Sequence, residues 1–388
     1  MIRKGKRSPA GAGTIRQRKD GKWEGRYTAG YDPGNGKQIQ KSIYGKTQRE
    51  VSDRLRQILS DIDSGTYIEP SKMTVGQWLD IWAAEYLGSI RVATQHSYKG
   101  HIKNHIIPAL SDMRLQKLNP HDVQSFINSL QREKELSPKT IKNIHGCFHS
   151  ALKHATIIGY IKFNPADNAK MPLNEKPQIA PLPEESIPQF MAAIKGDDYE
   201  PIYFVALLTG MRQGEILGLT WDCVDFEKGT IYVNKQLQRH LDTGEYILTP
   251  LKNDKPRRLS PAPSVLARLR QIEIEQKKNR LKFGAAWNNK KNLVFTTELG
   301  DNIKHQVVYK HFKKIAEKID MPGLRPHDLR HSYAVNALQS GDDIKTVQDA
   351  LGHYTAAFTL DVYGFVTDKM KKDSAERMEK FFKQYNVQ

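Results

Sequence analysis

The chain has 388 residues, and at roughly 100 to 200 residues per domain this length predicts two or three domains. Lys and Arg number 60 against 43 Asp and Glu, and the net charge of +17 favours a polyanionic partner. The 27% of charged residues carry both signs, which excludes a disordered polycation, and no apolar run reaches the roughly 18 residues of a transmembrane helix.

The N-terminus is basic, but it lacks the apolar stretch of a secretory signal. The two cysteines, Cys147 and Cys223, are too few for a disulfide framework and have no metal-ligand spacing. We therefore expect a cytoplasmic protein with no membrane contact, no bound metal and no cofactor.

The first segment predicts a small sheet packed on a helix. Residues 1–13 form a predicted basic arm, rich in Lys, Arg and Gly and without apolar periodicity. Three strand-like runs follow, separated by turn signals at Asp20-Gly21 and at residues 32–36. Thr47–Glu50 matches a capping box, and apolar residues then recur at helical spacing. Residues 14–64 are therefore predicted to be three antiparallel strands and one helix.

Alternation along the second strand places Trp23, Tyr27 and Tyr31 on one face and charged residues on the other. A sheet that buries one face against its helix leaves the other free to enter a DNA groove. A plain solvated surface is the alternative for this face. The candidate DNA-binding residues are Arg16, Arg18, Lys22, Arg26 and Lys41.

After a linker at residues 65–72, the apolar spacing becomes helical throughout, which predicts a helical domain over residues 73–164. Thr74 is the expected N-cap of its first helix. The second helix is expected to end at Pro108. Asn119-Pro120 and Ser137-Pro138 are expected to open the third and fourth helices, because Pro is favoured at the first helical position after a short polar residue.

Six prolines make residues 165–188 a predicted extended linker. The remaining segment, residues 189–388, predicts helices interrupted by two strands, near 230–239 and 246–251, with a turn at 242–244 between them. The fold class is therefore expected to be multidomain and mainly α with small β-sheets.

Five short elements of this last segment stand out. They are the turn Thr209–Glu215, Lys252, the run His327–His331, the run Leu351–His353, and Tyr363. In order and approximate spacing these elements resemble the tyrosine recombinases, also called phage-type integrases. The resemblance implies an α+β catalytic domain at residues 189–388, preceded by an arm-type DNA-binding domain at 14–64 and a helical-bundle core-binding domain at 73–164.

Breaking a phosphodiester without a metal requires a nucleophile, cationic donors to the non-bridging oxygens and an acid for the leaving oxygen. Arg212 and Arg330 suit the oxygens, because a guanidinium pairs with phosphate bidentately and stays charged at every accessible pH. His327 and His353 suit hydrogen bonding to the phosphate, since imidazole titrates near neutral pH. For each residue taken alone, a salt bridge or a packed histidine is the ordinary alternative.

The resemblance implies the remaining roles. Tyr363 is implied to be the nucleophile, with Tyr354 as a much weaker internal competitor. Lys252 is implied to be the general acid that protonates the departing 5′-oxygen, although Lys255 lies nearby and the choice between the two lysines stays open. Glu215 is implied to be a supporting residue that orients the arginines or a histidine.

Two alternatives remain on the last segment. His331 follows His327 by four residues on a predicted helix, which raises a metal site, but no Cys or carboxylate joins the pair at ligand spacing. Near the C-terminus, Met370, Met378, Phe381 and Phe382 give an apolar patch on a predicted helix. That helix either packs on its own domain or docks onto a neighbouring subunit.

The resemblance implies a site-specific recombinase that integrates or excises a mobile element, either a phage or an integrative conjugative element. Its reaction would pass through a 3′-phosphotyrosyl intermediate and a Holliday junction, with four protomers on double-stranded core and arm sites, at the bacterial nucleoid. A host DNA-bending protein and an excisionase are further expected partners. A type IB topoisomerase-like enzyme and a catalytically silent DNA-binding regulator are the alternatives.

Overall fold

The computed structural model describes residues 13–173, 181–241, 243–251, 255–352, 368–383 and 385. The chain divides into two compact units, which we call the first unit, Met1–Glu175, and the second unit, Lys176–Gln388. Most of the described residues are helical, and the sheets are small and antiparallel. The expected fold class is therefore confirmed. No helix among these residues is both long and apolar enough to cross a membrane.

The first unit begins with a three-stranded antiparallel sheet whose strands are ordered as in the chain. They are β1 (Thr14–Gln17), β2 (Trp23–Tyr31) and β3 (Gln38–Gly45), followed by helix α1 (Gln48–Asp63). Val51 and Leu55 of α1 are fully covered by one face of the sheet. Gly25 permits this close packing, because a Cβ at that position would lie 2.8 Å from Val51 Cγ1.

Tyr31 departs from the predicted pattern. The register of β2 against β3 shifts between Thr28 and Gly30, so one extra residue stands in β2. Such a bulge moves every later side chain to the opposite face. Tyr31 is accordingly 65% exposed and does not share the buried face of Tyr27. The prediction that placed the two tyrosines together was wrong.

The helical part of the first unit has its expected helix starts. Its helices are α2 (Val75–Glu85), α3 (Val92–His101), α4 (Ile107–Leu110), α5 (Pro120–Arg132) and α6 (Pro138–Ile157). Thr74 caps α2 and Asn119 caps α5, each in a reciprocal capping box, and the Ser137 hydroxyl caps α6. The indole N–H of Trp78 donates to Ala151 O at 3.0 Å, which ties α2 to α6 inside the apolar core.

The expected helix end at Pro108 is wrong, because the helical path continues to Leu110. A single π-helical turn, Ile102–Ile106, connects α3 to α4. Pro108 has no N–H to donate to the carbonyl of Asn104. Lys134 Nζ donates to that carbonyl instead, at 3.2 Å, so the chain tolerates the proline without ending the helix.

The second unit is built from helices around two small sheets. Its elements are α7 (Ile187–Ile194), α8 (Glu200–Thr209), α9 (Gln213–Leu217), β4 (Val224–Asp225), β5 (Thr230–Val233), β6 (Lys235–Arg239), β7 (Tyr246–Pro250), β8 (Arg257–Leu259), α10 (Pro263–Phe283), α11 (His305–Lys318), α12 (Pro326–Gln339), α13 (Ile344–Leu351) and α14 (Asp368–Lys383). Phe190, Tyr203 and Phe312 are among the largest side chains of its core.

The segment predicted as one strand over residues 230–239 is two strands. β5 pairs with β4 and β8, whereas β6 pairs with β7. The apolar alternation continues through both halves, with Ile231, Val233 and Leu237 all buried. Alternation reports which face is buried but not which strand lies alongside. The predicted pairing of 235–239 with 246–250 is confirmed, and Asp242 of the predicted turn lies outside the described residues.

Candidate active site

The turn that carries Arg212 is shaped by Gly210. Helix α8 ends there with a left-handed φ of 63°. A Cβ at Gly210 would lie 2.4 Å from Tyr333 Cδ1, so both the conformation and the space require glycine. Arg212 then precedes α9, and its side chain is 28% exposed. The close packing of α8 against α12 thus places this arginine at the edge of the core.

Glu215 is buried in the first turn of α9 and accepts hydrogen bonds from two arginines. Arg212 donates its backbone N–H at 2.9 Å and Nη1 at 2.8 Å. Arg257 of β8 donates Nη2 at 2.6 Å and Nη1 at 3.2 Å, one to each carboxylate oxygen. Burial acts to raise the pKa of Glu215, but the hydrogen bonds from Arg257 and the charges of both arginines lower it to about 2. The carboxylate is therefore ionised at every working pH.

The C-terminal end of α13 is bonded by two guanidinium groups. Arg257 Nε donates to Ala350 O at 2.7 Å, and Arg330 Nη2 donates to Leu351 O at 2.5 Å. Cations suit this position because the last carbonyls of a helix have no intrahelical partner and carry partial negative charge. Arg330 also donates Nη1 to Gly210 O at 2.6 Å. The buried Arg330 thus joins the Arg212 turn to the end of α13.

His327 and His331 lie one turn apart on α12, with their rings edge to face and the centroids 4.9 Å apart. Partial burial, followed by the positive charges of His331, Arg330 and Arg212, lowers the pKa of His327 to about 4. Arg330 lies three residues after His327 on α12, and its bond to Gly210 O holds this helix against the turn that carries Arg212. The structure therefore brings Arg212, Arg330 and His327 into one region of the second unit.

Several predicted site residues lie outside the described part of the chain. They are Lys252, His353, Tyr354 and Tyr363. Lys255 is described and exposed, two residues before β8. Among the described residues no group of three His, Cys, Asp or Glu side chains is arranged to hold a metal ion.

Arg257 was not among the predicted site residues, although its side chain reaches Glu215, Ala350 and the turn at Gly352. A Cβ on Gly352 would lie 3.1 Å from Arg257 Nη1, so the guanidinium packs directly against this glycine. The alternation of residues along β8 could have predicted that Arg257 is buried. Arg257 stands two residues before the buried Leu259 and therefore shares its inward face. An arginine at an inward position needs acceptors inside the protein, and a carboxylate is the strongest of these.

The candidate DNA-binding residues of the sheet fall into two groups. Arg16 and Arg26 lie on the face that α1 leaves open, and both form ion pairs with Glu24. Lys41 is the cross-strand partner of Tyr27, so it lies on the helix-covered side, where it pairs with Glu69 of the following segment.

The other two candidates lie beside the turn between β1 and β2. Lys22 is exposed there. Arg18 lies over the ring of Tyr44, with its guanidinium carbon 5.2 Å from the ring centroid. Both side chains extend the basic surface next to the open face.

Comparison with protein families gives two matches. The phage integrase family matches residues 181–370, and the SAM-like N-terminal domain of phage integrases matches residues 74–131. A tyrosine recombinase XerC-like protein of Caldanaerobacter subterraneus subsp. tengcongensis is 30% identical over 368 residues, covering 90% of this chain and 93% of that protein. The ICEBs1 integrase of Bacillus subtilis is 25% identical, covering 94% and 99% of the two chains.

Solved structures show the same fold. The Tn1549 transposon integrase in complex with transposon right end DNA gives a TM-score of 0.68 at 22% identity, covering 79% of this chain and 100% of that one. A lambda integrase tetramer bound to a Holliday junction gives 0.57 at 19% identity, covering 93% and 99%. With the sequence matches, these likenesses identify the protein: the chain belongs to the phage integrase family of tyrosine recombinases.

Proposed function

We propose that this protein is a site-specific DNA recombinase that integrates or excises a mobile element, with Tyr363 as its nucleophile. The observation that carries the proposal is the convergence of Arg212, Arg330 and His327 in a chain of this family, where the bond from Arg330 to Gly210 O holds α12 against the Arg212 turn. Relatives that belong to mobile elements, among them the ICEBs1 integrase and the transposase of Tn916, support a mobile-element role.

The two arginines have different parts in binding the scissile phosphate. Arg212 uses one terminal nitrogen for Glu215, and the structure gives its Nε and Nη2 no hydrogen bond among the described residues. These two N–H edges are suited to two phosphate oxygens. Arg330 is buried and fixed by two carbonyls. Its positive charge is therefore held in a fixed position before DNA binds. A charge held in this way stabilises the negative charge that develops on the phosphate without any movement of the side chain.

The cleavage step conserves the phosphodiester energy. The Tyr363 hydroxyl gives its proton to a neutral histidine of the site, His327 or His353, its oxygen bonds to phosphorus, and the bond from phosphorus to the 5′-oxygen breaks. Lys252 or Lys255 gives a proton to that oxygen, which leaves as a free 5′-hydroxyl. Attack of a partner strand's 5′-hydroxyl reverses the step. The chemistry of these side chains needs neither ATP nor a divalent metal.

We further propose that four protomers act on two duplexes, that residues 73–164 and 189–388 bind the core site, and that residues 14–64 bind arm sites. The complexes of relatives with transposon DNA and with a Holliday junction support this assembly. The net charge of +17 also supports it, because each neutralised phosphate releases counterions and strengthens binding. A host DNA-bending protein, an excisionase and a role in phage integration belong to the same proposal.

Recombination in vitro tests this function. Two plasmid-borne attachment sites, taken from the junctions of the element that encodes the protein, are incubated with wild-type protein and with Tyr363→Phe. We expect wild type alone to give the recombinant product. Relaxation of a supercoiled plasmid that lacks any site, without strand exchange, would instead favour a topoisomerase-like enzyme. Tight DNA binding without either product would favour a regulator.

A further inference from the structure

The open face of the N-terminal sheet contains a buried carboxylate. Glu24 lies directly opposite Arg16 in the pairing of β1 with β2, and Arg26 is two residues farther along β2 on the same face. In the part of the chain that the structure describes, the helix that packs on this sheet, α1, lies on the other face, yet Glu24 is only 3% exposed. The side chains of the two arginines lie over it. A carboxylate on an uncovered sheet face is ordinarily solvated, so this burial is unusual.

Glu24 bonds the Nε of each arginine with a different carboxylate oxygen. Arg16 Nε donates to Oε2 at 2.7 Å, and Arg26 Nε donates to Oε1 at 3.1 Å. Ser42 Oγ donates to Oε1 at 2.9 Å from β3. These hydrogen bonds, the one from Arg16 above all, lower the pKa of Glu24 to about 2 despite its desolvation. The carboxylate therefore keeps its charge and holds both guanidinium groups at neutral pH.

The unused ends of the two guanidinium groups point to a ligand. In the described part of the chain, neither arginine has a hydrogen bond from its Nη1 or Nη2, and their side chains are 58% and 45% exposed. These paired terminal nitrogens are the group that bonds bidentately to O6 and N7 of guanine in the major groove. A two-stranded or three-stranded ribbon fits that groove.

A purely stabilising role explains this arrangement poorly. Exposed ion pairs contribute little to stability, because they lose side-chain entropy and are screened by salt. One arginine would neutralise Glu24, whereas two leave a net positive charge. Fixing long side chains before binding is instead what lowers the entropic cost of recognition.

We propose that Glu24 is a positioning residue that holds Arg16 and Arg26 ready to bind guanine edges in the major groove of duplex DNA. This inference rests on the proposed binding of arm sites by residues 14–64. The sheet would then prefer arm sites that contain guanine. Arg16 and Arg26 recognise the sequence, whereas neighbouring basic residues such as Arg18 and Lys22 attract the phosphates of any duplex.

The test begins with selection from a randomised duplex library by the full-length protein and by an Arg16→Gln/Arg26→Gln variant. Sequences enriched by wild type alone define the class bound by the sheet, and we expect them to share guanines. Replacing one shared guanine with 7-deazaguanine removes the N7 acceptor. We expect this replacement to weaken the binding of wild-type protein about tenfold. Because only the DNA is changed, the result does not depend on how a protein variant folds.

Glu24→Gln then tests the positioning role. We expect the ratio of affinities for a selected and a scrambled duplex to fall about tenfold, while affinity for the scrambled duplex is retained. Asp20→Asn is the matched control, because it also removes one negative charge beside an arginine, Arg18, and we expect it to keep the ratio. Unchanged discrimination by Glu24→Gln would overturn this inference and leave arm binding intact. Failure to find any sheet-dependent class would overturn arm binding as well.

Discussion

Glu24 in the first unit and Glu215 in the second unit each hold two arginines, and the pKa of each carboxyl lies at about 2. Their surroundings differ. The arginines on Glu24 are largely exposed, whereas on Glu215 one is partly covered and the other, Arg257, is only 8% exposed. Among the described residues, the terminal nitrogens of Arg16 and Arg26 donate no hydrogen bond, since both bonds to Glu24 come from Nε. Arg257, in contrast, donates from Nε, Nη1 and Nη2 to acceptors inside the protein.

Burial determines what a carboxylate that holds two arginines does. Where water reaches the arginines, breaking a bond to the carboxylate leaves a solvated charge and costs little. Where water is absent, it leaves an unpaired charge in the core, so the same chemistry fixes the architecture. We infer that Glu215 acts mainly on the geometry of the Arg212 turn and the end of α13, and Glu24 mainly on recognition.

The largest effect is expected at Glu215. Glu215→Gln leaves Arg257 without its buried counter-charge, and we expect a loss of about 3 to 5 kcal/mol in the free energy of unfolding. Urea denaturation of the full chain, followed by tryptophan fluorescence, measures this. Glu24→Gln is the matched control, and its denaturation midpoint should fall much less than that of Glu215→Gln, because Arg16 and Arg26 stay solvated. Equal destabilisation by the two variants would contradict the contrast between them.

Lysine substitutions in the second unit distinguish an arginine that binds the scissile phosphate from one that stabilises the fold. Arg212→Lys keeps a charge but loses the planar fork, so we expect cleavage to slow about 100-fold with unchanged stability. Arg257→Lys loses its paired contacts to Glu215 and Ala350, so we expect both cleavage and stability to fall. Single-turnover cleavage and urea denaturation of both variants give the comparison. A stable Arg257→Lys protein with normal cleavage would show that this arginine positions nothing.

Between pH 7 and pH 5, His327 should add to the pH dependence of stability, alongside other partly buried histidines with a lowered pKa such as His305 and His331. The carboxyls of Glu24 and Glu215, with a pKa of about 2, stay ionised in the folded chain over this range. Since the pKa of His327 is lowered from 6.5 to about 4 in the folded chain, the unfolded chain binds more protons between these values. The stability contribution of neutral His327 is therefore full above pH 6.5 and is lost as pH falls towards 4. Denaturation midpoints at pH 7 and pH 5 for wild type and His327→Gln measure it. An identical pH dependence in both proteins would contradict this assignment.

The smallest effect is expected at Lys22. If this exposed lysine contacts only phosphate, Lys22→Gln should reduce the slope of log affinity against log salt by about 1 and weaken all duplexes alike. Fluorescence anisotropy at several salt concentrations measures the slope for a sheet-selected and a scrambled duplex. A change in the preference between the two duplexes would place Lys22 on base edges instead.

Local signals in the sequence were enough for the helix starts and for the motif residues. Thr74, Asn119 and Ser137 satisfy backbone N–H groups within three residues, so their role depends on nothing distant. Arg212, Arg330 and His327 were predicted from motifs in a known order, and the structure brings them into one region through the bond from Arg330 to Gly210 O.

Features that depend on residues far apart in the chain could not be predicted from the sequence. Arg257 meets Glu215 across 42 residues of chain, and the helix passes Pro108 because Lys134 supplies the missing donor. The bulge before Tyr31 changes which residues share a face, and alternation alone contains no mark of it. Each of these outcomes depends on tertiary contacts that periodicity does not specify.

The central claim is that Tyr363 breaks DNA by forming a covalent bond to a defined site. Wild-type protein and Tyr363→Phe are incubated in EDTA with nicked fragments of the source genome, and protein-linked DNA is recovered and sequenced after denaturation. We expect one defined sequence linked to wild type alone, with the 3′-phosphate on Tyr363 in the digested adduct. An adduct that persists in Tyr363→Phe, or one that maps to Tyr354, would contradict the account.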